Sequence, residues 1–137
     1  MKFLLQIFFV LCIFSCISNE RKINTSLIES GAELTVIGDE IINFGKVIEG
    51  EKVHLQFKIK NAGTGNLIIS KATASCGCTS LEYPEGVLEE GESDVVNVTF
   101  DSKGRLGTQT KKITLVSNST PNIKILTIKG QVVPFVN

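Results

Sequence analysis

Apolar and polar residues alternate strictly through Val53-His54-Leu55-Gln56-Phe57-Lys58-Ile59-Lys60. A period of two places successive side chains on opposite faces of a pleated strand, so this pattern limits the fold more than any other feature of the chain. It predicts Val53, Leu55, Phe57 and Ile59 facing a core, with His54, Gln56, Lys58 and Lys60 facing water. Comparable segments occupy residues 67–74, 94–100, 111–117 and 124–133, with a shorter first strand at 41–44. Turn residues separate them: Asn61-Ala62-Gly63-Thr64-Gly65-Asn66, Tyr83-Pro84-Glu85-Gly86, Glu89-Glu90-Gly91, Lys103-Gly104-Arg105-Leu106-Gly107 and Asn118-Ser119-Thr120-Pro121-Asn122. These supply the positive-φ and fixed-φ positions that chain reversals need. Gly63-Thr64-Gly65 is spelled like a phosphate loop, but a β-branched strand follows it where a phosphate loop needs a helix, so it reads as a hairpin turn. About seven short strands over roughly ninety residues predict an all-β antiparallel sandwich.

A chain of 137 residues has room for one core and a short appendage. Its 14 basic and 14 acidic residues balance. The lysines alternate with apolar residues along strands instead of forming a basic stripe, which argues against a nucleic-acid partner. There is no tryptophan, and four of the eight phenylalanines lie within the first fourteen residues. Tyr83 is the one candidate for an exposed ring, too few for a sugar-binding or single-strand-binding platform.

The N-terminus reads as an address. Lys2 is followed by an apolar run from Phe3 to Phe14, of signal-peptide length and short of the ~20 residues that span a bilayer. Ile13-Phe14-Ser15-Cys16 resembles the bacterial lipobox, with Phe14 bulkier than usual at its position. The resemblance implies cleavage before Cys16 and lipidation of that cysteine, hence a membrane-lipid partner. The expected division is a signal peptide at 1–15, a lipidated cysteine with a flexible tether at 16–40, and a β-sandwich at 41–137.

Ser75-Cys76-Gly77-Cys78-Thr79 holds the most distinctive chemistry. Two thiols one residue apart point to the same side of an extended chain, and Gly77 lets the backbone bend. Cys76 and Cys78 can form a local disulfide, present two thiolates to a soft metal, or stay reduced and packed. Copper(I) suits two sulfur ligands, whereas a closed zinc site needs four. A structural role is expected, with no metal and no cofactor, and copper binding or redox chemistry is the alternative.

Phe44-Gly45, Phe57-Lys58-Ile59-Lys60-Asn61-Ala62-Gly63, Leu67-Ile68-Ile69, the Cys-Gly-Cys run, Val98-Thr99-Phe100-Asp101-Ser102, Gly107, Ser117-Asn118 and Ile128-Lys129-Gly130 occur in an order that resembles the bacterial domain-of-unknown-function family 1573. Glu90-Gly91 stands where that pattern has Pro-Gly. The resemblance covers about residues 41–131 and implies an immunoglobulin-like domain related to the abnormal-spindle and Hydin group, frequent in exported proteins and lipoproteins. It implies no activity.

No enzyme is expected. His54, the single histidine, lies on a polar strand face with no nucleophile motif beside it. Glu89, Glu90 and Glu92 do not match a calcium loop and read as a solvated turn. Three glycosylation sequons, at Asn24, Asn97 and Asn118, carry no weight behind a bacterial lipobox. The expectation is a lipid-anchored envelope protein, facing the periplasm or the exterior, whose sandwich binds another envelope protein.

Overall fold

The computed structural model describes residues 31–136. Cys16, the leader and the greater part of the expected tether lie outside the described residues.

Nine strands form among the described residues: β1 (Leu34–Ile37), β2 (Ile41–Ile48), β3 (Lys52–Asn61), β4 (Leu67–Ala74), β5 (Thr79–Glu82), β6 (Val87–Leu88), β7 (Ser93–Asp101), β8 (Gly107–Ser117) and β9 (Ile123–Val133). They make two sheets, one ordered β1-β3-β7-β5 and the other β2-β9-β8-β4-β6. The two inner faces enclose one core, the arrangement of an immunoglobulin-like sandwich.

The alternation in β3 sets its faces. Phe57 and Ile59 are fully buried, Val53 and Leu55 pack against the core edge, and His54, Gln56 and Lys58 are exposed. Val96, Val98 and Phe100 of β7 complete that side. Leu67, Ile69, Ile113, Leu115, Leu126 and Ile128 face them from the other sheet. Phe44 on β2 stacks on Phe100 across the sandwich, with ring centroids 5.4 Å apart.

The structure corrects the sequence reading in four respects. The sandwich begins before residue 41: β1 lies within the expected tether and pairs antiparallel with the end of β3, Leu34 opposite Asn61. Its four residues are too few for a periodic signal, yet Leu34 is buried in the core. Secondly, β2 runs on to Ile48, through a bulge at Phe44 and a positive φ of 75° at Gly45. It pairs with β9 in parallel, an exception to the expected antiparallel arrangement that only a long connection permits. Thirdly, the short strands β5 and β6 were not expected. Finally, Tyr83 is half-buried against the core, and Phe135, after β9, is the exposed ring.

Asn61 ties together several loops at one end of the sandwich. Its Oδ1 accepts from the N–H groups of Glu33 and Gly63, and its Nδ2 donates to the carbonyls of Gly65 and Leu88. All four side-chain bonding positions are used, which allows a fully buried amide in an apolar setting.

Candidate functional site

β4 belongs to one sheet and β5 to the other, so Ser75, Cys76, Gly77 and Cys78 form a crossover between sheets. Backbone hydrogen bonds fix both ends. Ser75 N–H donates to the Lys112 carbonyl of β8 at 2.9 Å, and Lys112 N–H donates to Ser75 Oγ at 3.1 Å. On the far side, Asp101 N–H of β7 donates to the Cys78 carbonyl at 2.9 Å. Thr79 opens β5 directly opposite Phe100.

Cys76 and Cys78 are joined in a disulfide, with S–S 2.03 Å and Cα–Cα 5.3 Å. Cys78 is buried and contributes to the core, whereas Cys76 is half-buried at its edge. The Thr79 hydroxyl lies 3.6 Å from the Cys76 sulfur and 3.9 Å from the Cys78 sulfur. A bonded disulfide carries no S–H, so Thr79 is the donor in either contact. Copper(I) would need the bond reduced first, because thiolates are its ligands.

The chain bends through the crossover, with Gly77 in a turn. Its φ is outside the left-handed region, and a Cβ built on it would meet nothing within 4 Å. Neither backbone geometry nor space therefore demands glycine. What the missing side chain does is leave the approach to the disulfide open.

That approach is a shallow groove of about 390 Å³, lined by Gly77, Cys78, Ser80 and Thr99 together with Lys52, Lys103, Arg105 and Asp101. Three cations and one carboxylate line it, and the Glu49 carboxylate accepts from Gly104 N–H at 3.1 Å on the same turn, so positive charge is in excess by one. Lys52 and Asp101 are register partners at the ends of β3 and β7, and Lys103 and Arg105 stand on the following turn. The turn is held by Ser102, whose hydroxyl lies 2.7 Å from the Glu51 carbonyl and 3.1 Å from that of Ile48, and by Lys103 N–H on Asp101 Oδ1. Sequence reading placed Lys103 and Arg105 in a turn and gave Lys52 no role. No local signal relates them to a cysteine some 25 positions away along the chain.

His54 borders the groove through Thr99 and shares a face of β3 with Lys52, whereas Gln56 and the Glu89–Glu92 turn are not among its lining residues. His54 Nδ1 lies 3.0 Å from Thr99 Oγ1, and Gln56 donates to Asn97 at 2.9 Å, cross-strand pairs on an exposed face. Glu92 Oε2 accepts from Glu89 N–H at 2.8 Å, closing the turn at Gly91, where φ is 78°. Among the described residues no three acidic, histidine or cysteine side chains come together as a metal cluster.

Comparison with solved structures places the fold. A protein of unknown function from Porphyromonas gingivalis W83 superposes with a TM-score of 0.63 at 14% identity, covering 73% of this chain and 46% of its own. The chain thus spans about half of that protein's length. The ASH/PapD-like domain 7 of human CEP192 gives 0.61 at 14% identity, covering 80% of this chain and 89% of that domain. The YadV chaperone gives 0.53 at 7% identity, covering 72% and 51% respectively. Identities this low speak to the fold, a PapD-like variant of the immunoglobulin sandwich. No curated protein sequence matches the chain. Residues 35–132, from the first strand to the last and including the disulfide crossover, match the model of DUF1573, a protein family of unknown function, and the chain belongs to that family.

Proposed function

We propose that this chain is an exported lipoprotein, held on a membrane by lipid at Cys16, whose sandwich is a non-enzymatic module that binds another protein of the cell envelope. The observation that carries the binding reading is an apolar strip on the outer face of the five-stranded sheet. Ile68, Val87, Ile123 and Ile125 are each between 42 and 50% exposed. Ile68 pairs with Val87, and Ile123 pairs with the half-buried Val116, so the strip crosses β6, β4, β8 and β9. Exposed apolar side chains on neighbouring strands, with lysines such as Lys71 opposite Val116, are the composition of a protein-protein contact.

The anchor reading rests on the leader and on chain geometry. Fourteen residues lie between Cys16 and Gly31, a reach of at most about 50 Å when extended. The sandwich would therefore stay near the membrane, within range of envelope proteins.

Two measurements test the two halves. Fatty-acid labelling of cells should mark the wild-type chain and not Cys16→Ala, and an unlabelled wild type removes the anchor. A photo-crosslinker at Ile125 should give a discrete adduct that Ile123→Lys abolishes, while one at Gln56 on the opposite sheet gives none. Equal adducts from both faces, or an adduct with a second copy of this chain, would refute the partner reading.

A further inference from the structure

We infer that the groove beside the Cys76–Cys78 disulfide is a thiol-exchange site for acidic, thiol-bearing peptides. This inference does not depend on the lipid anchor or on the apolar strip.

Three independent features converge there. The disulfide spans a single residue, so its bond adds little loop-closure stabilisation that the fold would lose when it opens. The crossover is already held by Ser75–Lys112 and Asp101–Cys78 backbone bonds on either side, so the segment keeps its place without the sulfur bridge. Finally, Lys52, Lys103 and Arg105 outnumber Asp101 around Cys78, and Gly77 leaves the entrance clear. Cations draw in an anionic thiol and favour its thiolate, the reactive form.

The step balances without another reagent. A substrate thiolate, RS⁻, attacks the Cys78 sulfur from the groove. A bond forms between the substrate sulfur and Cys78 Sγ, and the Cys76–Cys78 bond breaks. The electron pair leaves on Cys76 as a thiolate, so the substrate sulfur is oxidised and Cys76 is reduced. The Thr79 hydroxyl, nearer to Cys76 than to Cys78, donates to that leaving thiolate.

The test uses the full chain with Cys12→Ser and Cys16→Ser, leaving only the pair to react. Reduced glutathione is the acidic thiol probe and cysteamine a cationic one. Samples are quenched with an alkylating agent that caps the freed cysteine, and the adduct is mapped by mass spectrometry. Glutathione is expected on Cys78 with the cap on Cys76. The ratio of glutathione to cysteamine rates is expected to fall about tenfold in Lys103→Glu/Arg105→Glu, and to fall likewise for the parent chain in 1 M salt, which needs no altered fold. Thr79→Val should slow both thiols together. Glutathione on Cys76, a rate ratio insensitive to salt and charge, or reaction only at denaturant concentrations that unfold the domain would overturn the inference.

Discussion

Phe44 of β2 lies over Gly130 of β9 while stacking on Phe100 of β7, the two rings inclined by 30°. A Cβ at position 130 would overlap the Cδ2–Cε2 edge of the Phe44 ring and crowd the Gly45 carbonyl. The glycine is thus required by close approach, and it lets an aromatic from one sheet reach the other. Overpacking of this kind costs about 1 to 3 kcal/mol. Gly130→Ala should lower stability by that amount in denaturant melts, and Phe44→Leu should recover part of the loss in a double-mutant cycle. Strict additivity of the two changes would show that the contact is not the cause.

Asn61 offers a second test. Removing its amide takes a partner from the Leu88 carbonyl at a buried position, and from the Glu33 and Gly63 N–H groups and the Gly65 carbonyl at part-buried ones that water reaches in part. Such groups cost about 1 to 3 kcal/mol each when water cannot replace the bond. Asn61→Ala should therefore destabilise by about 2 to 4 kcal/mol, with hydrogen exchange accelerated first in β1 and the 62–66 loop. Asn97→Ala, on the exposed face, should cost less than about 0.5 kcal/mol.

The faces of β3 are testable residue by residue. Phe57 is 1% exposed and its neighbour Lys58 is exposed. Phe57→Ala should cost about 3 to 5 kcal/mol, and Lys58→Ala almost nothing. Similar losses at both positions in chemical denaturation would contradict the packing.

The two cysteines should respond unequally to serine. Cys78 is buried among apolar residues and Cys76 is half-buried. Reducing the disulfide alone should change stability by about 1 kcal/mol or less, because its loop is one residue long. Cys78→Ser should cost more than Cys76→Ser, by about 1 kcal/mol, through burial of a hydroxyl. Equal costs, measured with both proteins reduced, would place the two side chains in like surroundings.

Much of the sandwich was legible in the chain because alternation is a local property. Residues 67–74 coincide with β4, and the segments at 53–60, 94–100 and 124–133 fall within β3, β7 and β9. Glycines at 91, 104 and 107 occupy positive-φ positions in the expected turns. What period and turn chemistry determined, then, was where strands run and which side of each is apolar. Tertiary structure decided the rest. β1 is too short to reveal itself, and pairing with β3 makes it a strand. The parallel approach of β2 to β9 joins segments some 86 positions apart. Ile68, Val87, Ile123 and Ile125 form one strip, and Lys52 and Arg105 share a groove with Cys78, only after the sheets close. The physical reason is that alternation fixes a side chain's face, whereas its neighbours are chosen by how two twisted sheets bury their apolar faces together.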